Sequence, residues 1–80
     1  MNSLIECQFY VDGRLAYLSD LPEVPQEHDE VDVCGTIFIV ASRRWIPTRQ
    51  RLVVYLYLKK TSVMLPKDFW DRVSAESKTR

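Results

Sequence analysis

Glycine is scarce in this chain, at two positions among 80 residues, so a glycine-rich loop of the kind that cradles phosphate cannot form. Histidine occurs once, as His28, and cysteine twice, as Cys7 and Cys34. Two thiols so widely spaced make neither a CxxC pair nor a disulfide framework, and they are expected to stay reduced. Without a second histidine or an HExxH-like spacing no metal ligand set is expected, and His28 reads as a surface residue. No Ser, Cys or Lys stands beside a recognisable base, and carboxylates cluster only in one acidic loop. The chain therefore reads as a non-enzyme with no cofactor. The apolar run Leu52–Leu58 is far short of the roughly 20 residues a membrane-spanning helix needs. The opening MNSLIECQ has neither the basic nor the apolar region of a secretory signal, so the expected location is cytoplasmic.

Net charge is also lacking, with eleven bases balancing eleven acids, but that zero hides a segregation. Residues 1–40 carry eight acids against Arg14, and residues 41–80 carry ten bases against Asp68, Asp71 and Glu76, so the halves stand at −7 and +7. In a sheet protein the halves interleave, which predicts partial mutual neutralisation with a polar surface that can steer partners.

What is present is β-sheet patterning. Leu4–Val11 alternates, with Ile5, Cys7, Phe9 and Val11 on one side and Glu6, Gln8 and Tyr10 on the other. Asp12-Gly13 follows, a dipeptide that suits a type I′ hairpin turn. The simplest register then pairs Val11/Arg14, Phe9/Ala16 and Cys7/Leu18 on the inward face, leaving Tyr10/Leu15 and Gln8/Tyr17 outside. The stretch Leu21–Asp29, with Pro22 and Pro25, cannot continue a ladder and reads as a surface loop pinned by Leu21 and Val24. Glu30–Cys34 alternates again with Val31 and Val33 inward, and Gly35 supplies a positive-φ turn.

The centre of the chain is a hairpin of two strands, Ile37–Ile46 and Arg51–Leu58, joined by Pro47–Gln50. Closing it with Ile46 opposite Arg51 pairs Trp45/Leu52, Arg43/Val54, Ala41/Leu56 and Ile39/Leu58 on a core face, where Trp45 would be buried. The reverse face would carry Phe38, Val40, Val53, Tyr55 and Tyr57, to be covered by a helix or a second copy. Pro22, Pro25, Lys59 and Lys60 read as edge protectors. After a linker Val63-Met64-Leu65, residues Pro66–Glu76 suit a helix of about three turns with Leu65, Phe69 and Val73 in one stripe, widened by Trp70.

The fold expected is mainly β: a five-stranded antiparallel meander curled into a small SH3-like or OB-like barrel with a short C-terminal helix. Residues 1–76 make one domain and 77–80 a frayed tail. The candidate binding residues are Arg43, Arg44, Trp45, Arg49, Arg51, Tyr55 and Tyr57. Arg, Trp and Tyr dominate protein-binding hot spots, and the same types serve single-stranded nucleic acid, where bases stack on aromatics over a cationic groove. The balanced charge favours a protein partner over nucleic acid. A third alternative is an oligomer, a homodimer in the simplest case, whose arginines converge on an anionic nucleotide.

Phe9-Tyr10-Val11-Asp12-Gly13, Leu21-Pro22-x-Val24-Pro25, Glu30-Val31-x-Val33-x-Gly35-x-x-Phe38-x-Val40, Trp45-x-Pro47 and Val54-Tyr55-Leu56 together resemble small β-rich accessory proteins of phages and prophages. The pattern departs at Glu27-His28-Asp29, where many such proteins carry a glycine before the third strand. The resemblance implies stoichiometric binding to a host factor and transfers no catalytic residue.

Overall fold

The computed structural model describes residues 4–61 and 65–78. Val63 and Met64 of the expected linker, and the last two residues of the expected tail, lie outside that set. Five strands, β1 (Ile5–Val11), β2 (Arg14–Leu21), β3 (Glu30–Val33), β4 (Thr36–Pro47) and β5 (Leu52–Lys60), precede one helix, α1 (Phe69–Lys78). They form a mainly β domain, a single sheet curled into a half-barrel.

The sheet order is β2-β1-β5-β4-β3. Within β1–β2 and within β3–β4–β5 consecutive strands pair antiparallel, as a meander requires. The two pieces are joined by a parallel ladder between β1 and β5, so the sheet is mixed. The chemistry of β5 explains its place. Leu56 and Leu58 face the core while Val53, Tyr55 and Tyr57 line the other side, so a strand with two apolar faces takes the middle. Pro22 and Pro25 keep β2 from laddering onto β3, and Leu21 and Val24 anchor that connection on the core. Lys59 and Lys60 lie on this central strand, opposite Ile39 and Phe38, and protect no edge.

Turn chemistry follows the residues. Asp12 and Gly13 have φ of 52° and 76°, both left-handed as a type I′ turn demands, and Val11 faces Arg14. Cys34 (φ 51°) and Gly35 (φ 83°) make the second such turn, which the Asp32 carboxylate holds by accepting the Gly35 N–H at 3.0 Å. His28 is left-handed as well, at φ 75°, a backbone position that suits glycine. Its side chain is exposed, as expected.

Two bulges move the faces. Between Phe9 and Tyr10 the register to β2 shifts, leaving Ala16 as the extra residue. Below it Phe9 opposes Tyr17, their rings 5.9 Å apart, and Leu18 opposes Gln8 on the outer side. The inward Leu18 and outward Tyr17 of the simplest register are therefore exchanged. A second shift, between Val40 and Ser42, makes Ala41 extra. An added residue reverses the side on which all following side chains fall. Phe38 and Val40 thus enter the core, while Ile37 is left 48% exposed. The reverse face loses both to the core and keeps Val53, Tyr55 and Tyr57.

The helix starts three residues after Pro66, behind a turn in which the Phe69 N–H donates to the Pro66 carbonyl at 3.0 Å. It seals the core face at the end where the two glycine turns lie. Phe69 and Val73 are buried, Leu65 and Trp70 pack beside them, and Phe69 meets Phe38 edge-on at 5.4 Å. Trp70 lies against Phe69 and under the Arg14 guanidinium at 4.2 Å. Arg72 bonds Asp68 at 2.9 Å and the Cys34 carbonyl at 3.1 Å, fastening the helix to the second turn.

Both cysteines are free, Cys7 fully buried. Burial, and secondly the Asp20 carboxylate, pushes the Cys7 thiol above its ordinary 9.0. The unfolded chain then releases this proton before the folded one does, so the thiol's contribution to stability is complete below pH 9 and fades as pH rises toward the folded value. Between pH 9 and 10, Cys7→Ala is expected to flatten the decline of the urea midpoint seen in the parent protein. Parallel declines in the two proteins would contradict this.

Candidate binding site on the arginine hairpin

The candidate residues sit on one hairpin but not on one surface. Its tip is tighter than expected. Pro47 opposes Leu52 and Trp45 opposes Val54, two residues out of step with the Ile46/Arg51 closure. Thr48 is the cause: its N–H and hydroxyl both donate to the Arg51 carbonyl, at 3.1 and 2.6 Å, and its Oγ1 accepts the Arg51 N–H at 3.0 Å. That clamp leaves Arg49 and Gln50 as the projecting pair.

From this tip the side chains alternate. Arg43 and Trp45 point to the core side but beyond the part α1 covers, so Trp45 is 47% exposed and not buried as its register had suggested. The Arg43 guanidinium lies 5.8 Å from the indole centroid. It pairs with none of Asp29, Glu30 or Asp32. Arg44 points the other way, opposite Tyr55. Tyr55 and Tyr57 pack on Tyr10, at 5.1 and 5.8 Å between ring centroids. The Tyr10 phenol is pushed above its ordinary 10.0 by burial first and then by its contact with Tyr55.

Arg51 is already spent. It reaches Asp20 at 2.8 Å and Glu6 at 3.4 Å, and Glu6 accepts from Gln8, which accepts in turn from the Tyr10 hydroxyl, each at 2.7 Å. This chain of contacts runs along the outer side of β1, with Asp20 and Arg51 completing it. Lys60 bonds Asp12 at 3.2 Å, so the acidic and basic halves of the sequence do interleave. Those without an ion pair among the described residues include Arg43, Arg44, Arg49 and Lys59 on the hairpin, and Glu23, Glu27, Glu30 and Asp32 toward β3.

The chain matches no protein-family model, no curated protein and no solved structure. No helix among the described residues is long and apolar enough to cross a membrane.

The two features that sequence reasoning missed are the partners of Arg51 and the part of β4 that extends past β3, laddered to β5 alone. Glu6 and Asp20 belong to the first hairpin, so only the parallel β1–β5 ladder brings them to Arg51. That overhang follows from lengths: twelve residues in β4 stand against four in β3. A four-residue alternating run beside a long one is the signal that could have revealed it.

Proposed function

We propose that this chain is a non-catalytic interaction module that binds a protein partner through the hairpin of β4 and β5. It fits the accessory role of small phage proteins that modulate a host factor in the cytoplasm. The observation that carries this reading is the group Arg43, Arg44 and Arg49, without carboxylate partners among the described residues, around a half-exposed Trp45. A large rigid indole with the Arg43 guanidinium 5.8 Å from its centroid gives contact area at low entropic cost, which suits a protein interface.

The nucleic-acid alternative is less well supported. A stacking groove needs cations and aromatics along one path, whereas Arg43 and Trp45 lie on one side of the sheet and Arg44 with Tyr55 on the other. Arg51, moreover, is neutralised by two carboxylates.

A tagged pull-down from host lysate, half treated with nuclease, tests the reading. One stoichiometric protein is expected in both halves with the parent chain. It should be lost with a Arg44→Ala, Trp45→Ala double variant whose melting temperature is unchanged. Loss of all captured material on nuclease treatment would overturn the protein reading in favour of nucleic acid.

A further inference from the structure

Beyond Val40 the outer side of β4 has no strand beside it. β3 pairs only with Thr36–Ile39, and the preceding loop adds two bonds, His28 N–H to the Val40 carbonyl at 2.8 Å and Val40 N–H to the Asp29 carbonyl at 3.0 Å. Among the described residues no backbone group bonds the outer side of residues 42–46, whose inner side is laddered to β5. Unpaired N–H and C=O groups in a row form a template for another strand.

The remaining edges are guarded differently. α1 packs against β2, and β3 is short, with exposed Glu30 and Asp32. The free stretch of β4 instead carries Arg43 and Arg44, one toward each side of the sheet. A second copy pairing there would set arginine against arginine, which like charges oppose. An incoming strand sends alternate side chains to both sides, so an acidic one would reach Arg43 and Trp45 with one set and Arg44 with the other. No ligand lying on a single face could meet all three.

We infer that β4 captures an extended acidic segment of a partner protein by strand addition along residues 42–46. This rests on the protein-binding reading above and specifies its partner. Main-chain bonds supply attraction independent of sequence, and the arginines supply selection for acid and exclusion of self.

The probe is a capped octapeptide of the pattern Glu-Glu-Val-Val repeated, which presents glutamate on both sides of an added strand, titrated into the full chain and followed by backbone amide NMR signals and amide hydrogen exchange. Signals of residues 42–46 are expected to shift, and amides there that exchange rapidly in the free protein should become protected. Methylating alternate peptide nitrogens, which keeps the charge and removes donors, should weaken binding by at least about tenfold. The double variant Arg43→Glu, Arg44→Glu should release this peptide and take up the Lys-Val counterpart. Absence of binding, shifts centred on Tyr10, Tyr55 and Tyr57, or indifference to methylation would each overturn strand addition. If the nuclease-resistant protein is still captured in that case, the module reading stands and only its mode is wrong. A matched oligothymidylate that shifts the same amides and competes with the peptide would overturn the inference for nucleic acid.

Discussion

Phe38→Ala is expected to lower the unfolding free energy by about 3–5 kcal/mol, whereas Ile37→Ala, one residue earlier, should cost less than about 1 kcal/mol. The contrast comes from the bulge at Ala41. Without it, β4 would keep one parity from Trp45 back to Ile37, and Ile37 and Ile39 would face the core in place of Phe38 and Val40. With it, Phe38 is wholly buried in the core cluster, edge-on to Phe69, while Ile37 is 48% exposed. A benzyl group removed from a close-packed interior leaves a cavity its neighbours fill only in part. For a domain of this size, with total stability of order 5 kcal/mol or a little more, the Phe38 variant should be largely unfolded at moderate urea. Urea midpoints at equal slope decide the matter. Equal losses at the two positions would mean that the bulge is misplaced.

Phe69→Ala should cost a similar 3–5 kcal/mol, and its signature differs from that of a frayed terminal helix. Phe69 is 0% exposed and touches both Phe38 and Trp70, so α1 is part of the one core and not an appendage. In a Trp45→Phe background, Trp70 fluorescence and far-ultraviolet circular dichroism should therefore report one coincident transition, moved to lower denaturant when Phe69→Ala is added. A variant in which Trp70 became solvated while the sheet signal kept its parent midpoint would show the helix to be dispensable.

These two residues also mark what could be read from the sequence. Local signals were legible. Asp12-Gly13 specified its turn because both φ values depend on two adjacent residues, and Leu65, Phe69 and Val73 announced the buried helix stripe by spacing alone. Faces were not legible where alternation is silent. Ile37-Phe38-Ile39-Val40 is apolar at every position, so either parity satisfies it, and the extra residue at Ala41 decides the outcome without a distinctive side chain. Ala16 does the same in β2, exchanging Tyr17 and Leu18. The arginine hairpin was found from composition, yet its division into a neutralised Arg51 and free Arg43, Arg44 and Arg49 depends on carboxylates from the first hairpin. No pattern within the hairpin could have disclosed that.

The parallel ladder of β1 on β5 has a consequence for how the chain acquires this form. Glu6 meets Val53, so β1 must wait for β5, which lies three strands further along the sheet-forming sequence than its hairpin partner β2. Each hairpin can close on its own within microseconds, but the step that unites them carries the entropy of a long loop. Folding times on the order of milliseconds to seconds are typical of such non-local pairing. During that interval the nascent β1–β2 hairpin presents Cys7, Phe9 and Val11 to solvent with nothing to cover them. The docking of β5 beside β1, and of α1 over the core face, ends this exposure, which makes the interval before the two hairpins unite the period when the protein is most open to misassociation.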